Sequence, residues 1–596
     1  MTRPRIALAA VLMMAVAVAP TAVAQNGGDH AMGVASSHEL ATRAGMAVLR
    51  DGGTAADAAF TVAAVLTIVE PWFSSVMGGG TWALHFDAES GEVVSLDGVG
   101  PAASGATTEV FREDGLAGSS GMHQALVPGA WAGWMEWLRA YGTRSLPELL
   151  EPAIRIAEEG YPVSSEMAFW LQRGREDIAR WPYSRRRYMP DGSLPRAGDT
   201  IRQPAMAETL REVAAVYQGR IDSGAGRADA FQAAEDYFYR GPIAESIVAY
   251  SDEHGGLFEL SDFTQFETGF VEPITVDYRG LTVYQNPPNS QGITMLMALK
   301  ILEGYSFGDY EVDSPEAVHL QTEALKLAHS AKFYHVADPA FVDVPVDRLL
   351  SDANARAQRE LISMSEALAW PIPDVLPRRA GVSVPGSSGG DSRAVLAGNP
   401  GFDPDLAHTT TLHVVDRYGN GAAVTTSLGA QFLIAGPSGV HINNRMRMMS
   451  FYDQVPNSIA PGKKVRHTSN PYLVLKNGEL YILGGNTGVD TQPQGQVQQF
   501  ISVVEFGLSP QEAVARPRFV TTAFPAGQWP FTAENELLME PGFSEETRRW
   551  LAQRGHVFGE GGIFGTANML VRDPGTGRLR GGADPRSSRG LALVEE

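Results

Sequence analysis

Thr409-Thr410-Thr411-Leu412-His413-Val414-Val415-Asp416 is rich in branched residues, and Ala422-Ala423-Val424-Thr425-Thr426-Ser427-Leu428 resumes the pattern after Arg417-Tyr418-Gly419-Asn420. Two strand-like runs around a short turn predict a β-hairpin. With the turn centred on Tyr418, the register sets Thr409 opposite Ser427, so two hydroxyls lie one ladder spacing apart. The chain immediately before this hairpin is of another kind. Residues 382–408 include Pro385-Gly386-Ser387-Ser388-Gly389-Gly390-Asp391-Ser392 and Gly398-Asn399-Pro400-Gly401, with no apolar periodicity. That composition predicts an exposed, mobile linker ending where the hydroxyl-bearing strand begins.

Working outward, Ala41 to Ile68 carries apolar residues at helical spacing, broken at Asp51-Gly52-Gly53. A helix is predicted over Thr54–Val69, and Gly78-Gly79-Gly80 leads into a strand from Thr81 to Phe86. Ser145-Leu146-Pro147-Glu148 has the capping-box pattern of a helix start, and Ala317–Ala337 is again helical. Leu480–Leu483 reads as a strand that runs into Gly484-Gly485-Asn486-Thr487-Gly488-Val489-Asp490.

Composition limits the chemistry. The 596 residues are 44% apolar and 19% charged, enough for a large core. The net charge of −21, without a basic stripe, argues against a nucleic-acid partner. The absence of cysteine removes thiolate nucleophiles, Fe–S clusters and Cys-ligated zinc. The 13 histidines form no His-Glu-x-x-His run and no His-x-His pair, so no metal site is expected and nothing calls for a cofactor. Arg3 and Arg5 precede an apolar run from Ile6 to Ala19, and Ala22-Val23-Ala24 resembles a cleavage site. Residues 1–24 therefore read as a signal peptide, and a periplasmic or secreted protein with no membrane span is expected. Gly98-Val99-Gly100-Pro101-Ala102-Ala103 imitates a dinucleotide fingerprint but reads as a turn, and Arg185-Arg186-Arg187 reads as a solvated patch.

Several motifs in order resemble the γ-glutamyltranspeptidase family of N-terminal-nucleophile hydrolases, over roughly residues 30–590. They are Asp51-Gly52-Gly53-Thr54-Ala55-Ala56-Asp57-Ala58-Ala59, Gly78-Gly79-Gly80, and Asp277-Tyr278-Arg279-Gly280 with Asn286-Pro287-Pro288-Asn289-Ser290-Gln291-Gly292. Thr409-Thr410 leading to Val414-Val415-Asp416, Ala460-Pro461-Gly462-Lys463, Ala515-Arg516-Pro517-Arg518-Phe519 and Asp584-Pro585-Arg586-Ser587 complete the set. The resemblance implies an α+β fold, a four-layer αββα sandwich. It also implies self-cleavage between His408 and Thr409, giving a large subunit (25–408) and a small catalytic subunit (409–596) that remain together as a heterodimer.

Within that resemblance Thr409 becomes the nucleophile. A Thr hydroxyl needs a base to take its proton. Once Thr409 is N-terminal, its own α-amine can serve, because such an amine titrates at about 7.7–8.0 whereas a lysine titrates near 10.4. A positioned general base contributes on the order of 10²–10⁴-fold. Ser427 matches the family's second hydroxyl, a threonine there, and an ordinary strand serine is the plain alternative. The family's paired oxyanion glycines fall at Gly488 and Val489, where backbone N–H groups would do the work. A simple strand-to-helix turn is the alternative there.

The departures from the family concern substrate recognition. Asp97 stands near where an arginine holds the substrate's α-carboxylate, and His467 and Thr468 replace two serines that assist it. Of the groups that bind the α-amine, the asparagine falls at Gly429, the glutamine at Arg445 and the aspartate at Met448. Losing one partner of a buried charge pair costs about 3–5 kcal/mol, about two to four decades in affinity. Arg445 or Arg447 could restore a carboxylate contact from the opposite wall, although a surface arginine is the plain reading of each. The expected function is a self-processing amidohydrolase or acyltransferase. Its substrate would be a small γ-glutamyl amide such as glutathione, with water or an amine as acceptor. An acylase for a non-γ-glutamyl amide, of cephalosporin- or glutaryl-acylase type, is the first alternative. A non-catalytic secreted binding protein of the same fold is the second.

Overall fold

Alternation of side chains across the strands decides the layering. In strand Thr410–Val415, Leu412 and Val414 join an apolar cluster with helix Ala55–Val69, while Val415 belongs to another cluster on the opposite face. The second cluster collects Ala35, Leu84, Phe86 and Ala423 from one sheet and Leu473, Leu475, Leu483 and Leu570 from another, so it is the seam between two stacked sheets. A fully buried Val or Leu side chain contributes about 1.5–3 kcal/mol, and the period of two supplies such residues to both faces. The structure, a computed structural model, describes residues 31–113, 116, 119–373, 375–377, 409–429, 431–527 and 533–596. The expected signal peptide, the linker over 382–408 and His408 lie outside the described residues.

The first sheet has seven antiparallel strands, in the order Leu591–Glu595, Met32–Ser36, Thr410–Val415, Gly421–Ser427, Gly80–Phe86, Val93–Gly98 and Gly269–Val271. The second has six, in the order Leu579–Ala583, Ala567–Arg572, Glu479–Asn486, Tyr472–Lys476, Leu281–Gln285 and Ile274–Tyr278. Helix Ala55–Val69 covers the outer face of the first sheet. It starts at a capping box made by Thr54 and Asp57, and all its residues are buried. Helices Ile293–Leu302, Pro315–His335 and Thr491–Val504 cover the outer face of the second, against Tyr472, Val474, Ile482 and Met569. The arrangement is the αββα sandwich. Among the described residues no helix is long and apolar enough to cross a membrane.

The hairpin has the expected register, with Gly421 paired to Val415 and Thr426 to Thr410. Asp416 ties it to the helical layer: its carboxylate accepts from the N–H groups of Tyr418 and Asn420 in the turn and of Ala55 at the helix start. The strand expected over Leu480–Leu483 extends to Asn486. Gly485 lets it pass close to the other sheet, since a side chain there would run into the Thr411 hydroxyl. The arginine run is only partly solvated. Arg185 and Arg186 are exposed, but Arg187 is partly buried, its guanidinium 5.1 Å from the centroid of the Tyr188 ring.

Candidate active site

Thr409 is the residue immediately before strand Thr410–Val415, and it is 1% exposed. Its Oγ1 lies 3.1 Å from Ser427 Oγ, the pairing that the hairpin register requires. A second donor, Gln492 Nε2, reaches Thr409 Oγ1 at 3.3 Å from the first turn of helix Thr491–Val504. Sequence reasoning missed Gln492, which sits two residues beyond the glycine-rich run. Its only signal was its place at a helix start.

The run from Gly484 to Asp490 connects a strand to this helix. Gly488 has φ +88°, a left-handed conformation that favours glycine, and a side chain there would collide with Thr491 Oγ1. Val489 is not among the residues with positive φ, so its branched side chain is compatible with the turn. Its carbonyl accepts from Gln291 Nε2 at 2.8 Å, and the same amide nitrogen donates to Thr468 O at 2.9 Å. Gln291 Oε1 in turn accepts from Lys332 Nζ at 3.2 Å, and Lys332 is paired with Asp490. Burial lowers the Lys332 pKa to about 8, against the pull of Asp490. Gln291, Lys332 and Asp490 thus fix the carbonyl side of the Gly488–Val489 turn.

Arg445 is 1% exposed and belongs to the same cluster as Thr409 and Ser427. Its Nη1 donates to Ser427 Oγ at 3.0 Å and its Nη2 to Asn444 Oδ1 at 3.2 Å, while Nε is buried without a partner. Burial, and then the charge of Arg447, pull its pKa down to about 9, which leaves it cationic at neutral pH. His467 is fully buried. Its Nδ1 accepts from the N–H of Ser469 at 3.1 Å, and Nε2 has no partner. Burial first, then Arg445, lower the His467 pKa and keep the ring neutral. Thr468 Oγ1 is also buried and unpaired.

Asp97 is engaged elsewhere. Lys464 Nζ lies 2.6 Å from its Oδ2, and the N–H of Val99 donates to its Oδ1. Burial raises its pKa, against the pull of Lys464. No hydrogen bond or ion pair among the described residues joins Asp97 to Thr409, Ser427 or Arg445.

A second buried network lies behind strand Thr410–Val415. Thr410 Oγ1 and Ser37 Oγ are 2.6 Å apart, and Ser37 Oγ donates to Glu70 Oε2 at 2.7 Å. Burial pushes the Glu70 carboxyl up to about 7, partly offset by Ser37 and Thr410. One cluster among the described residues has the donor set for a metal ion: His319, Glu323 and His556, whose ligand atoms lie within 4.8 Å of one another. It shares no residue with the Thr409 network, and Lys326 Nζ already sits 2.8 Å from Glu323 Oε1.

A family model described as gamma-glutamyltranspeptidase matches residues 41–594. The chain belongs to the γ-glutamyltranspeptidase family. Its relatives within this family include a glutathione hydrolase-like YwrD proenzyme of Bacillus subtilis, 32% identical over 93% of this chain and 96% of the relative. Another is the acylase ACY 1 proenzyme of Pseudomonas sp. strain SE83, 31% identical over 92% and 91%. Among solved structures, a cephalosporin acylase from Bacillus halodurans superimposes with a TM-score of 0.79, at 31% identity, over 98% of this chain and 99% of that one. The protein is thus a hydrolase or acyltransferase of the γ-glutamyltranspeptidase family, and the non-catalytic reading is set aside.

Proposed function

We propose that this member of the family is a self-processing N-terminal-threonine amidohydrolase and acyltransferase. The observation that carries the reading is the 3.1 Å contact of Thr409 Oγ1 with Ser427 Oγ at the head of a central strand. Cleavage between His408 and Thr409 would give Thr409 a free α-amine as its base. Attack by Oγ1 on an amide carbonyl then forms an ester-linked acyl-enzyme and releases the amine. Water or another amine takes the acyl group in the second step. The N–H groups of Gly488 and Val489 are the proposed oxyanion donors, each worth roughly 2.7–4 kcal/mol in such sites.

The products of cleavage, 25–408 and 409–596, would remain a heterodimer. The sheet itself supports this. Strand Thr410–Val415 is hydrogen-bonded to Met32–Ser36 on one side, and Gly421–Ser427 to Gly80–Phe86 on the other. The nominal substrate is a small γ-glutamyl amide such as glutathione. An acylase acting on another amide is the second reading, favoured because Asp97 is bound to Lys464 and Met448 is buried in the apolar core. Export to the periplasm or the medium completes the proposal and rests on residues 1–24.

The test is intact mass of the purified protein beside Thr409→Ala, then assay with a γ-glutamyl anilide. A cut at His408/Thr409 that is absent in the variant is the expected result, and turnover then gives the nominal activity. Cleavage without turnover gives the acylase reading, and an uncut wild-type chain overturns the nucleophile.

A further inference from the structure

Arg445 carries a full positive charge in the interior beside the proposed nucleophile, and the described residues supply it no counter-ion. Its two bonded nitrogens meet neutral acceptors, Ser427 Oγ and Asn444 Oδ1, and Nε meets nothing. Arg447, two residues on, adds a second positive charge that the described residues leave without an ion pair. An isolated buried charge is costly, and interiors rarely keep one unless something pairs with it. The local backbone makes room for it. Gly429 has φ +120°, and a side chain there would lie 2.5 Å from Arg445 Nη2 and collide with Asn444 Oδ1. An anion that arrives with the ligand would supply the partner that the described residues lack.

We infer that Arg445 is the specificity-determining residue for a carboxylate on the acyl side of the substrate. The substrate class is then the monoamide of a short dicarboxylic acid. This rests on the amidohydrolase reading above. Two hydrogen bonds in sequence, 3.1 Å and 3.0 Å, connect Thr409 Oγ1 to Ser427 Oγ and Ser427 Oγ to Arg445 Nη1. A carboxylate on the guanidinium and a carbonyl at Thr409 Oγ1 therefore lie only a few bonds apart, which calls for a short chain. The acyl side is the one chosen because Arg445 is only 1% exposed. The leaving amine must depart to solvent and be replaced by water, whereas the acyl group stays attached and can occupy the closed end. A guanidinium binds a carboxylate through paired N–H donors, and Nε is still free to serve. The described residues place no carboxylate beside Arg445 to receive an ammonium, so an α-amino group on the acyl chain gains nothing there.

The test is a panel of 4-nitroanilides hydrolysed by the processed wild-type protein: succinyl, glutaryl, γ-glutamyl, butyryl and 4-aminobutyryl. Loss of a buried charge partner corresponds to about 10²-fold. The expected order has kcat/KM for succinyl or glutaryl about that much above butyryl and 4-aminobutyryl, with γ-glutamyl below glutaryl. Arg445→Gln should collapse the glutaryl-to-butyryl ratio towards one, and Arg445→Lys should retain part of it. A residue that only orders Ser427 would lower all five rates together and leave the ratio unchanged. Equal turnover of glutaryl and butyryl by the wild type overturns the inference while the amidohydrolase reading stands. No turnover of any of the five anilides by a processed chain overturns the inference, and an uncut wild-type chain overturns the amidohydrolase reading with it. The wild-type panel decides the substrate class even if Arg445→Gln fails to mature, and Arg445→Lys then assigns the residue.

Discussion

Lys332 Nζ lies 2.5 Å from Asp490 Oδ1, and neither side chain reaches solvent. The pair joins helix Pro315–His335 to the turn that carries Gly488 and Val489, more than a hundred residues further along the chain. Asp490 also accepts from the N–H of Gly527 at 2.5 Å, and Gln494 Nε2 donates to its carbonyl at 3.2 Å. Removing the cation would leave the buried Asp490 carboxylate with neutral hydrogen-bond donors and only the longer-range charge of Arg466. Lys332→Met should therefore cost about 3–5 kcal/mol of stability. Urea unfolding of wild type and variant checks this, and a change below about 1 kcal/mol would show that the pair is dispensable.

Gly488→Ala should act on rate more than on binding. Its φ of +88° strains any other residue, and the added methyl would push against Thr491 Oγ1. The turn must shift, and the N–H pair shifts with it. Misplacing one oxyanion donor costs about 10²–10³ in kcat. The expected result is a fall of that size with KM little changed, measured on whichever anilide the mature protein hydrolyses. An unaltered kcat would remove Gly488 from the proposed oxyanion donors.

Much of this site was legible in the sequence, and the reasons are local. A hairpin is set by a period of two and a tetrapeptide of turn residues, so the Thr409–Ser427 pairing followed from neighbours in the chain. The glycine at 488 announces a backbone conformation, and the structure has it at positive φ. What the sequence hid are polar residues whose partners lie far along the chain. Lys332 reads as an ordinary helix lysine until Asp490 packs against it, and Glu70 reads as a solvated helix end until Ser37 and Thr410 enclose it. The occupation of Asp97 by Lys464 was hidden for the same reason, since 367 residues separate the two. Burial of charge is a property of the assembled layers, and no pattern of nearby residues encodes it.

Ser427→Ala tests the hydroxyl from both sides. Ser427 Oγ lies 3.1 Å from Thr409 Oγ1 and accepts from Arg445 Nη1 at 3.0 Å. Alanine removes the partner of one hydroxyl and leaves a buried guanidinium with one acceptor fewer, a cost of about 1–3 kcal/mol for the unsatisfied donor. That cost falls on stability; for the reaction, the lost hydrogen bond to Thr409 Oγ1 is worth about 0.5–1.5 kcal/mol, so slower self-cleavage and a kcat lower by up to roughly tenfold are expected. Ser427→Thr, which keeps the hydroxyl, should recover most of both. Equal loss in the two variants would mean that packing, rather than the hydroxyl, matters at this position.

Glu70 gives a prediction with a definite sign. Burial pushes its carboxyl from 4.5 up to about 7, so the native state binds more protons than the unfolded chain between those values. Its contribution is therefore complete below the unfolded pKa and is lost as pH rises through the folded one. Glu166 moves in the same direction, to about 8, through burial first and the charge of Glu70 second. Glu70→Gln keeps an acceptor for Ser37 Oγ but cannot ionise, and it removes the charge that holds Glu166 up. The stability of the variant relative to wild type should stay constant in acid below the unfolded pKa of Glu70 and then increase in the variant's favour as pH rises through about 7. Urea titrations at a series of pH values measure that difference. A difference independent of pH would show that Glu70 has the same pKa folded and unfolded, and one that moves in the wild type's favour as pH rises through about 4.5 would show a carboxylate held ionised by Ser37 and Thr410.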